Sequence, residues 1–190
     1  DSNQNGQALA WYQDFPGVPL VAAAGPNTPG DAAVSTTAQD VPMLQLRLSA
    51  GQNVTVSRLS IRAQGTGDDA TEVQSVQLWL DADGSGTITS VDTALGSPAA
   101  FSQDDGSVDF VGLNQALAPG TFRDYVVTYT LNSATGVTFQ AVFEPSLGLL
   151  ATSPNGTLLL SGSAIVGGAQ RTATFGTPGF GGGSATTAAG

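Results

Sequence analysis

The segment from residue 81 to residue 92, DADGSGTITSVD, carries oxygen-bearing side chains at regular spacing. Asp81, Asp83, Ser85 and Asp92 stand at its positions 1, 3, 5 and 12, and Thr87 at position 7 offers a backbone carbonyl. A hard divalent cation such as calcium takes about six to eight oxygen ligands from a flexible loop. The spacing therefore predicts a Ca²⁺ site with Asp81, Asp83, Ser85, Thr87 and Asp92 as its ligands.

The same segment resembles the calcium loop of EF-hand and dockerin proteins. Gly86 stands where that loop needs glycine for its turn, Ile88 where it has an apolar anchor, and Thr89 where a water often mediates. Two features differ from that pattern. Asp92 replaces the usual bidentate glutamate, and an apparent strand ending at Leu80, rather than a helix, precedes the loop. The alternative interpretation is an Asp/Gly-rich hairpin turn that holds no metal.

Two further aspartate pairs lie in sequence typical of turns. Asp68 and Asp69 follow a glycine and predict a turn closed by side-chain-to-backbone hydrogen bonds. The alternative is that they are ligands of the first metal or of a second one. Asp104 and Asp105 precede a glycine between apparent strands, which favours a hairpin turn.

The composition argues against several kinds of function. The 190-residue chain has a net charge of −10, with 15 acidic and 5 basic residues, and it contains no lysine, histidine or cysteine. Nucleic-acid binding needs a basic surface that displaces counterions, and most catalytic bases and nucleophiles need the missing residue types. There is also no apolar run of about 20 residues. We therefore predict no nucleic-acid partner, no membrane insertion and no enzyme activity.

Alternation of apolar and polar residues predicts a chain made mostly of β-strands. Clear runs begin at residues 44, 76, 127 and 137, and turn signals separate them. The alternation changes parity within residues 53–63, which predicts a β-bulge near Ser57 and Arg58. About eight short strands with regular turns favour an all-β, antiparallel Ig-like or Greek-key sandwich. A jelly roll or a small barrel is the alternative.

The alternation also predicts which side chains are buried. Trp79 is expected on the outer face of its strand, where it would offer a stacking surface to a sugar or a protein partner. The predicted core consists of Leu46, Leu48, Leu59, Ile61, Leu78, Leu80, Tyr129, Phe139 and Phe143.

The chain divides into three parts by composition. Residues 1–30 form an N-terminal arm rich in proline and aromatic residues, residues 31–175 the sandwich domain, and residues 176–190 a glycine-rich tail. The arm has no apparent partner in the periodic part of the chain, and glycine loses much entropy on ordering. Both features are explained if the two ends of the chain lie along a neighbouring subunit. The alternative is that they fold back onto their own domain.

Several runs resemble a domain of bacterial and archaeal secreted and cell-surface proteins. These runs are GTGDDATEV, SVQLWLDADGSGT, FSQDDGSVDF and LAPGTFRDYVVTYTL, and the similarity spans roughly residues 20–175. The resemblance implies an Ig-like β-sandwich, an extracellular or cell-surface location and no enzymatic activity.

These features favour an extracellular structural subunit that assembles with itself into a filament or surface layer and is stabilised by calcium. The alternative is a secreted carbohydrate-binding module or adhesin domain, whose ligand would be a glycan. Asn53 and Asn155 each begin an N-glycosylation sequon, where a glycan would be a modification rather than a ligand.

Overall fold

The computed structural model describes residues 19–154 and 156–173 of the chain. In these ranges the chain forms thirteen strands and two short helices, α1 (Asp69–Glu72) and α2 (Pro145–Gly148). Neither of the described helices is long and apolar enough to cross a membrane. The strands are β1 (Leu20–Ala24), β2 (Ala32–Val34), β3 (Val41–Ala50), β4 (Val54–Gly65), β5 (Val73–Asp81), β6 (Thr93–Ala99), β7 (Ser107–Leu117), β8 (Thr121–Leu131), β9 (Thr138–Phe143), β10 (Leu149–Thr152), β11 (Leu160–Ser161), β12 (Ile165–Val166) and β13 (Gln170–Thr172).

The strands form the two sheets of an all-β sandwich, as predicted. The first sheet has the order β11-β1-β3-β8-β5-β6, and the second contains the path β10-β4-β9-β13-β2, with β7 paired to β4 and β12 to β9. Most neighbouring strands are antiparallel, but β1 pairs with β11 and β13 with β2 in parallel. Each parallel pair joins strands that are far apart in the chain, so no tight hairpin imposes the antiparallel direction.

The inward faces of both sheets share one hydrophobic core. Leu80, which lies next to the predicted calcium segment, is only partly buried. The other predicted core residues are fully buried, with 0 % of their surface exposed: Leu46, Leu48, Leu59, Ile61, Leu78, Tyr129, Phe139 and Phe143.

The predicted β-bulge in β4 is confirmed at Ser57. In the pairing of β4 with β10, Val56 and Arg58 lie opposite the consecutive residues Ala151 and Leu150, so Ser57 is the extra residue. Because one extra residue is inserted there, Val56 and Leu59 are both buried although they differ in parity.

The predicted N-terminal arm includes one strand of the sandwich. Residues 20–24 of that arm are β1, which pairs with β3 along its length, and Leu20 is buried in the core. Residues 1–18 of the arm, Asn155 and the tail predicted over residues 176–190 lie outside the described residues.

Candidate metal centre

The predicted calcium segment is the loop of the β5–β6 hairpin. Leu80 on β5 pairs directly with Thr93 on β6, so residues 81–92 span the distance between two paired positions. The strand pairing therefore brings Asp81 and Asp92, the first and last predicted ligands, to the same end of the sheet. We call residues 81–92 the hairpin loop.

The three carboxylates of the hairpin loop converge. Asp81, Asp83 and Asp92 each place a carboxylate oxygen within 4.8 Å of the other two. Calcium binds oxygen at about 2.3–2.6 Å, so two ligands of one ion lie up to about 5 Å apart. The carboxylates are thus close enough together to contact a single ion.

Two glycines give the hairpin loop its shape. Gly84 and Gly86 have φ angles of +69° and +75°, a region that other residues adopt with strain. Gly86 is also buried, and a Cβ atom there would collide with the backbone carbonyl of Asn27. The sequence expectation that position 6 of the loop needs glycine for its turn is confirmed.

Asp81 is buried at the base of the hairpin loop. Its Oδ1 accepts a hydrogen bond from the Ser85 amide at 3.0 Å. Its Oδ2 accepts one from the Gly86 amide at 3.0 Å and one from Gln45 Nε2 at 2.6 Å. These bonds fix the direction of the carboxylate and hold the first half of the loop against β3.

Gln45 is the residue at this site that the sequence analysis missed. Alternation placed it on the polar, outer face of β3, but its side chain is fully buried. Its Nε2 donates to Asp81 and to the Gly84 carbonyl at 3.1 Å, and its Oε1 accepts from the Asn27 amide at 2.7 Å. Its partners lie in β5, in the hairpin loop and in the turn after β1, all of them distant in the chain. The local sequence, a polar residue between two leucines, therefore did not indicate this role.

The more exposed half of the hairpin loop is organised around Thr89. Its hydroxyl lies 3.1 Å from Asp83 Oδ2 and 3.0 Å from Asp92 Oδ2. Asp92 also accepts hydrogen bonds from the amides of Ala82 and Thr89, at 2.8 and 2.7 Å. Hydrogen bonds from the side chain and amide of Ser85 hold the pKa of Asp83 below its usual value. The charged form of Asp83 is therefore favoured.

The neutral predicted ligands lie beside the carboxylates. The Ser85 hydroxyl donates to the Thr87 carbonyl at 2.9 Å, and the hydroxyls of the two residues are 3.4 Å apart. The structure therefore brings all the predicted ligand residues into one loop. The same hydrogen bonds also serve the tight turn that was the alternative interpretation.

An arginine forms an ion pair with Asp124, an acidic residue next to the hairpin loop. Asp124 on β8 pairs directly with Asp81 on one side and with Arg47 on the other. Like charges in directly opposite positions destabilise a sheet. Arg47 binds Asp124 through two hydrogen bonds of 2.7 and 2.6 Å, and its guanidinium lies 4.0 Å from the centre of the Phe122 ring.

A groove of about 900 Å³ lies beside the hairpin loop. Its lining includes Arg47, Asp83, Phe122 and Asp124. Phe122 is 55 % exposed, so its ring offers an aromatic surface to solvent. Trp79, for which this role was expected, is half-buried and donates its Nε1–H to Thr128 at 3.0 Å.

The predicted turn at Asp68 is confirmed as the N-terminal cap of α1. Asp68 Oδ1 accepts a hydrogen bond from the Ala70 amide at 3.1 Å, and Glu72 Oε2 accepts one from the Asp68 amide at 2.8 Å. Its neighbour Asp69 differs from an ordinary turn residue, because its side chain is fully buried. Asp104 and Asp105 lie in a turn between β6 and β7, but these strands belong to different sheets, so the predicted hairpin is wrong.

Comparisons of the chain with protein-family models and with curated proteins find no match. The resemblance to domains of surface proteins therefore stays an expectation. The interpretation of the hairpin loop depends on its own residues and their geometry.

Proposed function

We propose that this chain is an extracellular structural subunit that assembles with itself into a filament or surface layer and binds Ca²⁺ in the hairpin loop. The observation that carries the proposal is the convergence of the Asp81, Asp83 and Asp92 carboxylates within 4.8 Å at the closed end of the hairpin. Without a cation these charges repel one another, and a bound ion would remove that repulsion.

The ligand chemistry favours calcium over softer metals. Carboxylates, a hydroxyl and a backbone carbonyl are hard oxygen donors, which suit calcium, magnesium and manganese. The ligands come from an irregular loop, and calcium accepts irregular geometry more readily than magnesium does. The shorter reach of Asp92, compared with a glutamate, is compensated because the strand pairing already places it beside Asp81.

The edges of the sheets support self-assembly. Among the described residues, the first sheet ends on β6 and β11, and the second ends on β2 and β10 along its path and on β7, which pairs with β4 alone. Neither Thr93–Ala99 nor Ala32–Val34 contains a charged residue, whereas Ser107–Leu117 contains Asp109. Proteins commonly protect such edges with charges, because an unpaired edge is a template for a strand of another chain. Charged residues are also only 11 % of the chain, so contact between copies would remove little charge from water.

The proposal predicts calcium-dependent assembly of the full-length chain. We expect particles larger than a monomer in sedimentation velocity and electron micrographs with calcium, and a smaller assembled fraction with chelator. Ser97→Lys places a charge on the β6 edge and should weaken assembly. Gln74→Lys, an exposed site within the inner strand β5, adds the same charge and should leave assembly unchanged.

The chain ends are tested by separate deletions of residues 1–18 and 174–190. Deletion up to residue 18 keeps Leu20, which belongs to the core. At least one deletion should give a folded, calcium-binding monomer if the ends take part in assembly. A full-length chain that stays monomeric at high concentration in calcium would overturn the structural-subunit proposal.

The groove beside the hairpin loop supports a second candidate function, which is binding of a glycan. An exposed aromatic ring flanked by hydrogen-bonding groups is a common surface for sugars. Phe122 has this exposure, with Arg47 and Asp124 next to it in the groove.

If the chain binds glycans, the wild type should be retained on a column of immobilised polysaccharide. Phe122→Ala should abolish retention with little loss of stability, because the ring is more than half exposed. Val111→Ala removes another exposed apolar side chain outside the groove and should be retained like the wild type. Equal retention of the two variants would count against glycan binding in the groove.

A further inference from the structure

A second group of acidic side chains lies away from the hairpin loop. Asp69, at the start of α1, and Asp104 and Asp105, in the turn between β6 and β7, have carboxylate oxygens within 4.8 Å of one another. We call these three residues the buried-aspartate cluster. Only Asp69 is buried, and the other two are exposed, so the cluster runs from the interior to the surface.

Hydrogen bonds join the two segments of the cluster. The Asp105 amide donates to Asp69 Oδ2 at 3.2 Å, so the buried carboxyl group faces the turn that carries Asp104 and Asp105. Asp104 Oδ1 accepts from the amides of Asp105 and Asp69, at 3.0 and 3.4 Å. The backbone of both segments therefore holds the three carboxylates together.

One oxygen of the cluster has no partner. Asp69 is 0 % exposed, and its Oδ1 accepts no hydrogen bond from the described residues. Among the described residues, the buried hydroxyl of Tyr129 also has no hydrogen-bond partner. The charge of Asp69 adds to burial in raising the pKa of Tyr129 well above its usual value. Buried polar atoms are rarely left without a partner, because their desolvation is then uncompensated.

No basic side chain in the described ranges forms an ion pair with the cluster. The two ion pairs among the described residues are Arg47–Asp124 and Arg62–Glu144, and neither involves it. Burial raises the pKa of Asp69 to about 7, as expected for a carboxyl group without a compensating positive charge. A metal ion is one partner that would supply both the missing contact to Oδ1 and the missing charge.

We propose that Asp69, Asp104 and Asp105 bind a second hard divalent cation, such as calcium, at a site separate from the hairpin loop. Asp69 is the interior ligand, and Asp104 and Asp105 bind from the solvent side, with water completing the coordination. The ion connects α1, and so the start of β5, to the turn that precedes β7.

Calcium titration of the full-length, metal-free chain by calorimetry tests this site. Asp104→Asn with Asp105→Asn removes two charges but keeps an oxygen that can accept the hydrogen bonds of Asp104. Asparagine also tolerates the left-handed backbone of Asp105, which has a φ angle of +51°. The double variant should lose one class of calcium sites and retain the other. Asp40→Asn with Asp109→Asn is the matched control, because it removes the same charge outside both clusters and should bind calcium like the wild type.

A second double variant, Asp83→Asn with Asp92→Asn, separates this site from the hairpin loop. It should lose the other class of sites and still bind calcium at the buried-aspartate cluster. The proposal is overturned if this folded variant binds no calcium, or if Asp104→Asn with Asp105→Asn binds as much as the wild type. In contrast, unchanged binding by Asp83→Asn with Asp92→Asn would contradict the hairpin-loop site and leave the buried-aspartate site standing.

Discussion

Replacement of Phe139 by alanine is expected to lower the free energy of unfolding by about 3–5 kcal/mol. Phe139 is fully buried near the start of β9, where it pairs with both β4 and β13. Its ring lies against Gly67, where a Cβ atom would collide with it. Backbone on these sides restricts collapse into the space that the ring leaves, so we expect a cost from the cavity as well as from lost burial.

Urea denaturation followed by far-UV circular dichroism measures this change. Phe122→Ala is the matched control, because it removes the same side chain at a position that is 55 % exposed. The control should cost much less, since a largely exposed ring loses little burial. Equal midpoints for the two variants would mean that the inward face of β9 is assigned wrongly.

Calcium is expected to raise the free energy of unfolding by about 2.7 kcal/mol when its free concentration is a hundredfold above the dissociation constant of one site. The stabilisation arises because the folded chain holds the carboxylates of Asp81, Asp83 and Asp92 within 4.8 Å of one another, while the unfolded chain separates them. A cation therefore binds the folded state in preference.

Thermal unfolding with calcium and with chelator measures this stabilisation. Asp83→Asn with Asp92→Asn should reduce the calcium-dependent rise in Tm, whereas Asp40→Asn with Asp109→Asn should preserve it. Asp81 is less suitable for this test, because it is buried and its loss would leave the Gln45 side chain and two loop amides without their acceptor. Equal Tm values of the wild type in calcium and in chelator would contradict both proposed cation sites.

Local patterns in the sequence were sufficient to predict the faces of the strands. Leu46 and Leu48 are buried as the two-residue period requires, as are Leu59 and Ile61, and the parity change predicted the bulge at Ser57. The positions of the acidic residues and glycines in the hairpin loop were also readable, because the β5–β6 hairpin is made of neighbouring strands. In each case the physical cause acts between residues that are close in the chain.

The parallel pairing of β1 with β11 and the burial of Gln45 were decided by the tertiary structure. β1 and β11 are separated by most of the described chain, so no turn sequence indicates that they meet. Gln45 lies on the outer face, as alternation requires, but the turn after β1 and the hairpin loop cover it. Strand alternation specifies which face of the sheet a side chain points to, but it gives no information about what covers that face.

The two acidic clusters show most clearly what the sequence determined and what only the tertiary structure decided. Asp81, Asp83 and Asp92 meet because one hairpin carries them all, and their spacing alone predicted it. Asp69 and Asp105 are 36 residues apart, and each lay in a sequence typical of an ordinary exposed turn. They meet only because β5 and β6 pair in the first sheet while β7 crosses to the second, which brings the turn before β7 over the start of β5. Sheet order depends on the packing of the whole sandwich, so the sequence determined the turns and the tertiary structure decided that one buried carboxylate would face the other two.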